Sequence, residues 1–95
     1  MMKTREMIRE LDERINAVSN KLERLENKWD NNYNEIKKLD ELYGEEFDAV
    51  SDKYDELFEK NHKYRIMQNL FEEMLENLLK LKSNMEEMEE LKETL

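Results

Sequence analysis

The single histidine, His62, follows Glu59 by three residues, a spacing that sets a carboxylate and an imidazole on one face of a helix. Carboxylate-bridged di-metal bundles use that Glu-x-x-His pair, but they need two copies and two further inward carboxylates. With one histidine the chain has one copy. No metal site is therefore expected, and His62 reads as a surface or seam-edge residue. The absence of cysteine removes thiolate ligands, thiolate nucleophiles and disulfides. A single glycine leaves no glycine-rich loop for phosphate. Catalysis needs converging polar groups with tuned pKa values. This inventory offers no catalytic residue and calls for no cofactor, so the expectation is a non-enzymatic protein.

The acidic pairs Glu72-Glu73, Glu86-Glu87 and Glu89-Glu90 read as solvated helix faces, because helical spacing cannot wrap a calcium ion and no EF-hand pattern occurs. Trp29 and the four tyrosines could stack on bases, but no basic groove accompanies them, so Trp29 reads as core. Net charge is -9, and residues 40–95 hold seven basic and seventeen acidic groups. That field repels nucleic acid and anionic lipid and attracts a basic protein surface. A second reading follows, a small acidic, phage-like regulator or inhibitor that mimics the charge of nucleic acid.

The elements carrying these residues are set by a period of seven. Ile8, Ile15, Leu22, Trp29, Ile36, Tyr43, Val50, Leu57, Tyr64, Phe71, Leu78 and Met85 recur at that interval without a break. Such a repeat makes an apolar seam on a helix, to be buried against another helix. From Ile8 to Leu25 the companion positions Leu11, Val18 and Leu25 are filled as well. Polar residues interrupt the companion seam at Asn32 and Asn61. Past Asn61 the apolar pattern resumes as Tyr64, Met67, Phe71, Met74, Leu78, Leu81, Met85 and Met88, which reads as a stammer.

With no proline, Gly44 is the strongest candidate turn, since glycine takes the left-handed conformation that ends helices. The fold class expected is all-α: one domain, residues 1–95, forming a long antiparallel, coiled-coil-like helical hairpin. Helix 1 would cover about 3–43, the turn about 44–46 and helix 2 about 47–94. In that hairpin Leu39 faces Val50, Val18 faces Phe71, and Asn32 approaches Asn61 as a polar clasp of two amides. Two architectures compete: a three-helix bundle turning near Asp30-Asn31-Asn32-Tyr33-Asn34 and Asn61-His62, and a single long coiled-coil helix.

The second helix carries more apolar residues than one partner helix can cover. Phe58, Ile66, Leu70, Leu75 and Leu79 flank the main seam, the last turns are rich in methionine, with Met74, Met85 and Met88 joining Met67, and Leu91 and Leu95 reach past the start of helix 1. Methionine adapts to varied partners. Phe58, Ile66, Leu70, Leu79, Met85, Met88 and Leu91 are the candidate partner-binding residues. A second hairpin, the same chain or another, would complete a four-helix bundle as a homodimer or hetero-oligomer. The function expected is a helical protein-protein interaction module, with a coiled-coil assembly scaffold as a further alternative.

Met1-Met2-Lys3-Thr4-Arg5-Glu6 leads into an amphipathic helix, so no cleavable signal peptide is expected. No apolar run approaches the ~18 residues of a membrane span. These features and the lack of cysteine suggest the cytoplasm, with export by a signal-peptide-independent route as the other option.

Leu42-Tyr43-Gly44, followed by Phe47 and Val50 at the start of the second helix, resembles the turn of the small W-x-G helical-hairpin proteins of type VII secretion and their helical targeting partners. The resemblance implies a four-helix bundle with itself or a sister hairpin, and a role as secreted substrate or targeting partner. Leu42 stands where the family has tryptophan, no small residue follows Gly44, and the tyrosine-x-x-x-acid export pattern is missing. The role implied is therefore that of a partner to a signal-bearing chain.

Overall fold

The computed structural model describes residues 3–94. The fold is all-α, with helix α1 spanning Thr4–Asp40 and helix α2 spanning Glu45–Thr94, and there is no strand among the described residues. Both helices suit their ends. Met7 donates its amide to the Lys3 carbonyl (3.1 Å) and Asp48 to the Gly44 carbonyl (3.0 Å), opening α1 and α2 respectively. Glu45, Glu46 and Asp48 occupy the first turn of α2, and Lys37 and Lys38 the last turn of α1, each matching the local helix dipole.

α1 stops at Asp40, three residues before the expected end, and tightens into i to i-3 bonds from Glu41 and Leu42. Gly44 then takes φ of +57°, the left-handed conformation. Tyr43 falls in this connection and is 84% exposed, so it alone among the twelve seven-spaced residues stands free of the seam. The other two proposed turns lie inside helices: Asp30 to Asn34 within α1, and Asn61 and His62 within α2. This excludes the three-helix arrangement and the unbroken rod. Asn and Asp cost a helix only about half a kcal/mol each, less than losing a turn of buried seam.

The chain divides by its internal contacts into two compact units. The turn unit, Glu23–Asn69, is a helical hairpin about Gly44 in which Lys53 meets Glu35 (3.6 Å) and Asn61 meets Trp29. The end unit joins the stretch through Leu22 with the stretch from Leu70 onward. Its helix segments also run antiparallel, with Lys82 against Asp12 (2.6 Å) and Arg5 against Glu89 (3.2 Å).

Buried apolar side chains are few: Leu11, Val18 and Leu22 in the end unit, and Leu25, Ile36 and Leu57 in the turn unit. Among the described residues no large side chain is fully enclosed, as expected of one helix packed on one other.

The α2 seam differs from the expected one. Apart from Ser51, the positions turned away from solvent are Phe47, Val50, Tyr54, Leu57, Asn61, Tyr64, Gln68, Phe71, Leu75, Leu78, Lys82, Met85 and Glu89, alternating by three and four. There is no stammer. Gln68, Leu75, Lys82 and Glu89 hold the places expected for Met67, Met74, Leu81 and Met88. The reason lies in α1, whose seam from Ile8 to Leu39 keeps strict alternation and contains no matching slip, so α2 must keep the same phase to stay in register.

Candidate protein interaction surface

Displacing the α2 seam by one residue turns a stripe about 100° around the helix. In the end unit that displaced stripe is Leu70, Met74, Leu81, Met88 and Leu91, all exposed, from 46% at Leu81 to 60% at Leu91. Asn77 and Asn84 fill its two remaining positions and are also exposed. Met67, at the corresponding place within the turn unit, is exposed as well. The apolar residues that mimic a stammer are thus a second seam with no covering helix.

The candidate partner-binding residues are distributed over this surface unequally. Leu70, Met88 and Leu91 lie on the displaced stripe. Phe58 and Leu79 are exposed on the opposite flank of the main seam, where Arg65 and Glu72 separate them, and Ile66 is exposed on the outer face. Met85, expected both in the seam and at a partner contact, is half-buried in the main seam. Met74 and Leu81, expected in the seam, belong to the stripe. Letting polar residues stand in the seam, so that alternation never breaks, would have found them. Leu95, Met1 and Met2 lie outside the described residues.

The Asn32–Asn61 clasp is replaced by a different bond. Asn61, only 6% exposed, donates through Nδ2 to the Trp29 carbonyl at 3.3 Å, while its Oδ1 has no hydrogen-bond partner. Asn32 is half-buried. Gln68, 4% exposed, likewise leaves Oε1 without a partner. Each such oxygen costs about 1–3 kcal/mol of desolvation.

Around Asn61 the turn unit forms an open groove of about 480 Å³, lined by Trp29, Tyr33, Ile36, Lys37, Asp40, Phe58, Asn61, His62 and Arg65. Its aromatic side is already stacked. Arg65 lies 4.8 Å over the Trp29 ring, Trp29 stacks on Tyr33 at 5.0 Å, and Lys37 lies 4.9 Å over Tyr33. These cation-π and ring contacts occupy the faces a base would need. Tyr54 donates to Asp40 at 2.6 Å, and that bond raises the phenol pKa above its ordinary value.

The end unit places charge in its seam and neutralises it there. Lys82, with its side chain 29% exposed, bonds Asp12 and lies 3.6 Å from Glu86, and the bond to Asp12 raises its pKa. Arg5 bonds Glu89 and Glu93, each at 3.2 Å, and Lys92 donates to the Thr4 hydroxyl at 2.8 Å.

His62 is exposed and lines the groove, and among the described residues no group of three or more His, Asp or Glu side chains is placed to hold a metal ion. Nor is any helix among them long and apolar enough to cross a membrane. Compared with known protein families, curated proteins and solved structures, the chain matches none of them.

Proposed function

We propose that this chain is a non-enzymatic helical interaction module, and that the displaced stripe on α2 is the surface that docks a partner helix. The observation that carries this reading is the exposure of Leu70, Met74, Leu81, Met88 and Leu91, which together with the exposed Asn77 and Asn84 alternate by four and three along one face. Apolar residues scattered singly over a surface are ordinary, whereas five aligned on one helix face are not. One helix face of that spacing is complementary to another helix. The resemblance of Leu42-Tyr43-Gly44, Phe47 and Val50 to the turn of W-x-G hairpins suggests a targeting partner of type VII secretion as the setting.

Chromatography coupled to light scattering, with a hydrophobic dye as second readout, tests the docking surface. The expected result is either a mass above the 11.7 kDa of one chain, or a monomer that binds the dye. Leu81→Asp should abolish whichever is seen. A monomer that binds no dye, unchanged by Leu81→Asp, would refute the reading.

A further inference from the structure

We propose that the occupant of the displaced stripe is a second copy of this chain, with the two α2 helices parallel and in register over Leu70 to Leu91. This rests on the reading of the stripe as a docking surface, and adds to it the occupant and the orientation.

The two asparagines decide between orientations. Any helix covering the stripe also covers Asn77 and Asn84, and their amides must then find partners. In a parallel, in-register pair every position meets itself. Asn77 meets its counterpart and so does Asn84, and an amide is both donor and acceptor, so each pair can satisfy itself across the interface. Asparagine pairs of this kind also fix register, because any slip sets an amide against a hydrocarbon. In the antiparallel arrangement that sets alternating seam positions against each other, Leu70 meets Met88, but Met74 meets Asn84, Leu81 meets Asn77, and Leu91 runs past the end of the stripe. Both amides then face side chains that cannot bond them well.

Charge points the same way. In the end unit Lys21 lies 5.7 Å over the Phe71 ring. Arg14 sits one heptad from Lys21 on the same edge of α1, beside the stripe, and both are exposed. An antiparallel pair would bring the two α1 edges together, Arg14 against Arg14. A parallel pair instead offers that edge the outer flank of the other α2, which carries Glu73 and Glu76, the latter already paired with Lys80 at 3.3 Å. Like charges brought together cost specificity and affinity, whereas opposite ones favour the pairing.

The chain lacks cysteine, so one introduced thiol reports orientation directly. Full-length Asn84→Cys is oxidised and analysed on a non-reducing gel. Asn20→Cys, exposed on α1, serves as the control for random collision. The expected result is a covalent dimer from Asn84→Cys alone, formed about tenfold or more faster than from Asn20→Cys because the paired thiols share a high effective concentration. Equal rates for the two variants would overturn the proposal. So would a crosslink confined to a mixture of Met74→Cys and Asn84→Cys chains, the antiparallel signature. A wild-type chain that stays monomeric at about 100 μM, the weak end for a specific dimer, would overturn it as well. If that monomer still binds hydrophobic dye and Leu81→Asp abolishes the binding, the docking surface stands and only the second copy is removed. If it binds none, both are lost.

Discussion

The turn unit and the end unit use the same helix pairing and put their polar groups in opposite places. In the turn unit the seam itself carries neutral amides, and the oxygens of Asn61 and Gln68 are buried without partners. In the end unit the polar seam residues are ions, Lys82 and Glu89, each held by an opposite charge from α1. The end unit also leaves a second apolar seam uncovered. A long charged side chain can reach water from a seam while its methylenes pack, whereas a short amide is trapped. The turn unit thus carries its frustration inside, and the end unit carries it on its surface, where a partner can relieve it.

The largest effects should come from the few buried leucines and isoleucines and should be alike in the two units. Leu22→Ala in the end unit and Ile36→Ala in the turn unit should each cost about 2–4 kcal/mol, read by thermal melting followed by circular dichroism. A much smaller loss at Leu22 would break the symmetry of the two seams.

Next come the trapped amides, both of them in the turn unit. Gln68→Leu should stabilise the chain by about 1–2 kcal/mol by removing a buried oxygen without a partner. Asn61→Leu should stabilise less, because it also removes the bond to the Trp29 carbonyl. Denaturant midpoints check both, and destabilisation by Gln68→Leu would contradict the burial of an unsatisfied amide.

Gly44→Ala should cost about 1–2 kcal/mol. A Cβ there would meet nothing within 4 Å, so the cost is that of the left-handed backbone alone. A loss well above that range would mean that the connection also packs.

The smallest effects concern alkaline pH. The pKa of Tyr54 is raised by its bond to Asp40 and that of Lys82 by its bond to Asp12, so both groups hold their protons more tightly when folded. Their contributions are complete at neutral pH and fade as pH rises through the raised values, above about 10. Denaturation midpoints at about pH 8 and pH 11 should therefore differ less in Tyr54→Phe and in Lys82→Met than in the parent chain. Equal differences would mean that these bonds do not persist in solution.

Much of this fold is legible in the residues. The run from Ile8 to Leu25, together with one glycine and no proline, specifies two helices that meet at Gly44. The candidate surface was legible only in part. Met67, Met74, Leu81 and Met88 recur every seven residues, as seam residues do, and they sit one place before Gln68, Leu75, Lys82 and Glu89. Apolar content favours the methionine series as seam, but register with α1 selects the other. A pattern read along one helix does not see the phase that its partner imposes. The asparagine clasp failed for a similar reason: heptad layers bring Asn32 and Asn61 near each other, but which groups a short amide reaches is decided by local geometry, and Asn61 finds the Trp29 carbonyl.

Hydrogen exchange measured across a concentration series compares the two units most directly. If the end unit docks a second copy through its displaced stripe, amide protection from Leu70 to Leu91 rises with protein concentration, while protection from Glu45 to Asn69 rises much less. Protection in both stretches that does not change with concentration would contradict the account.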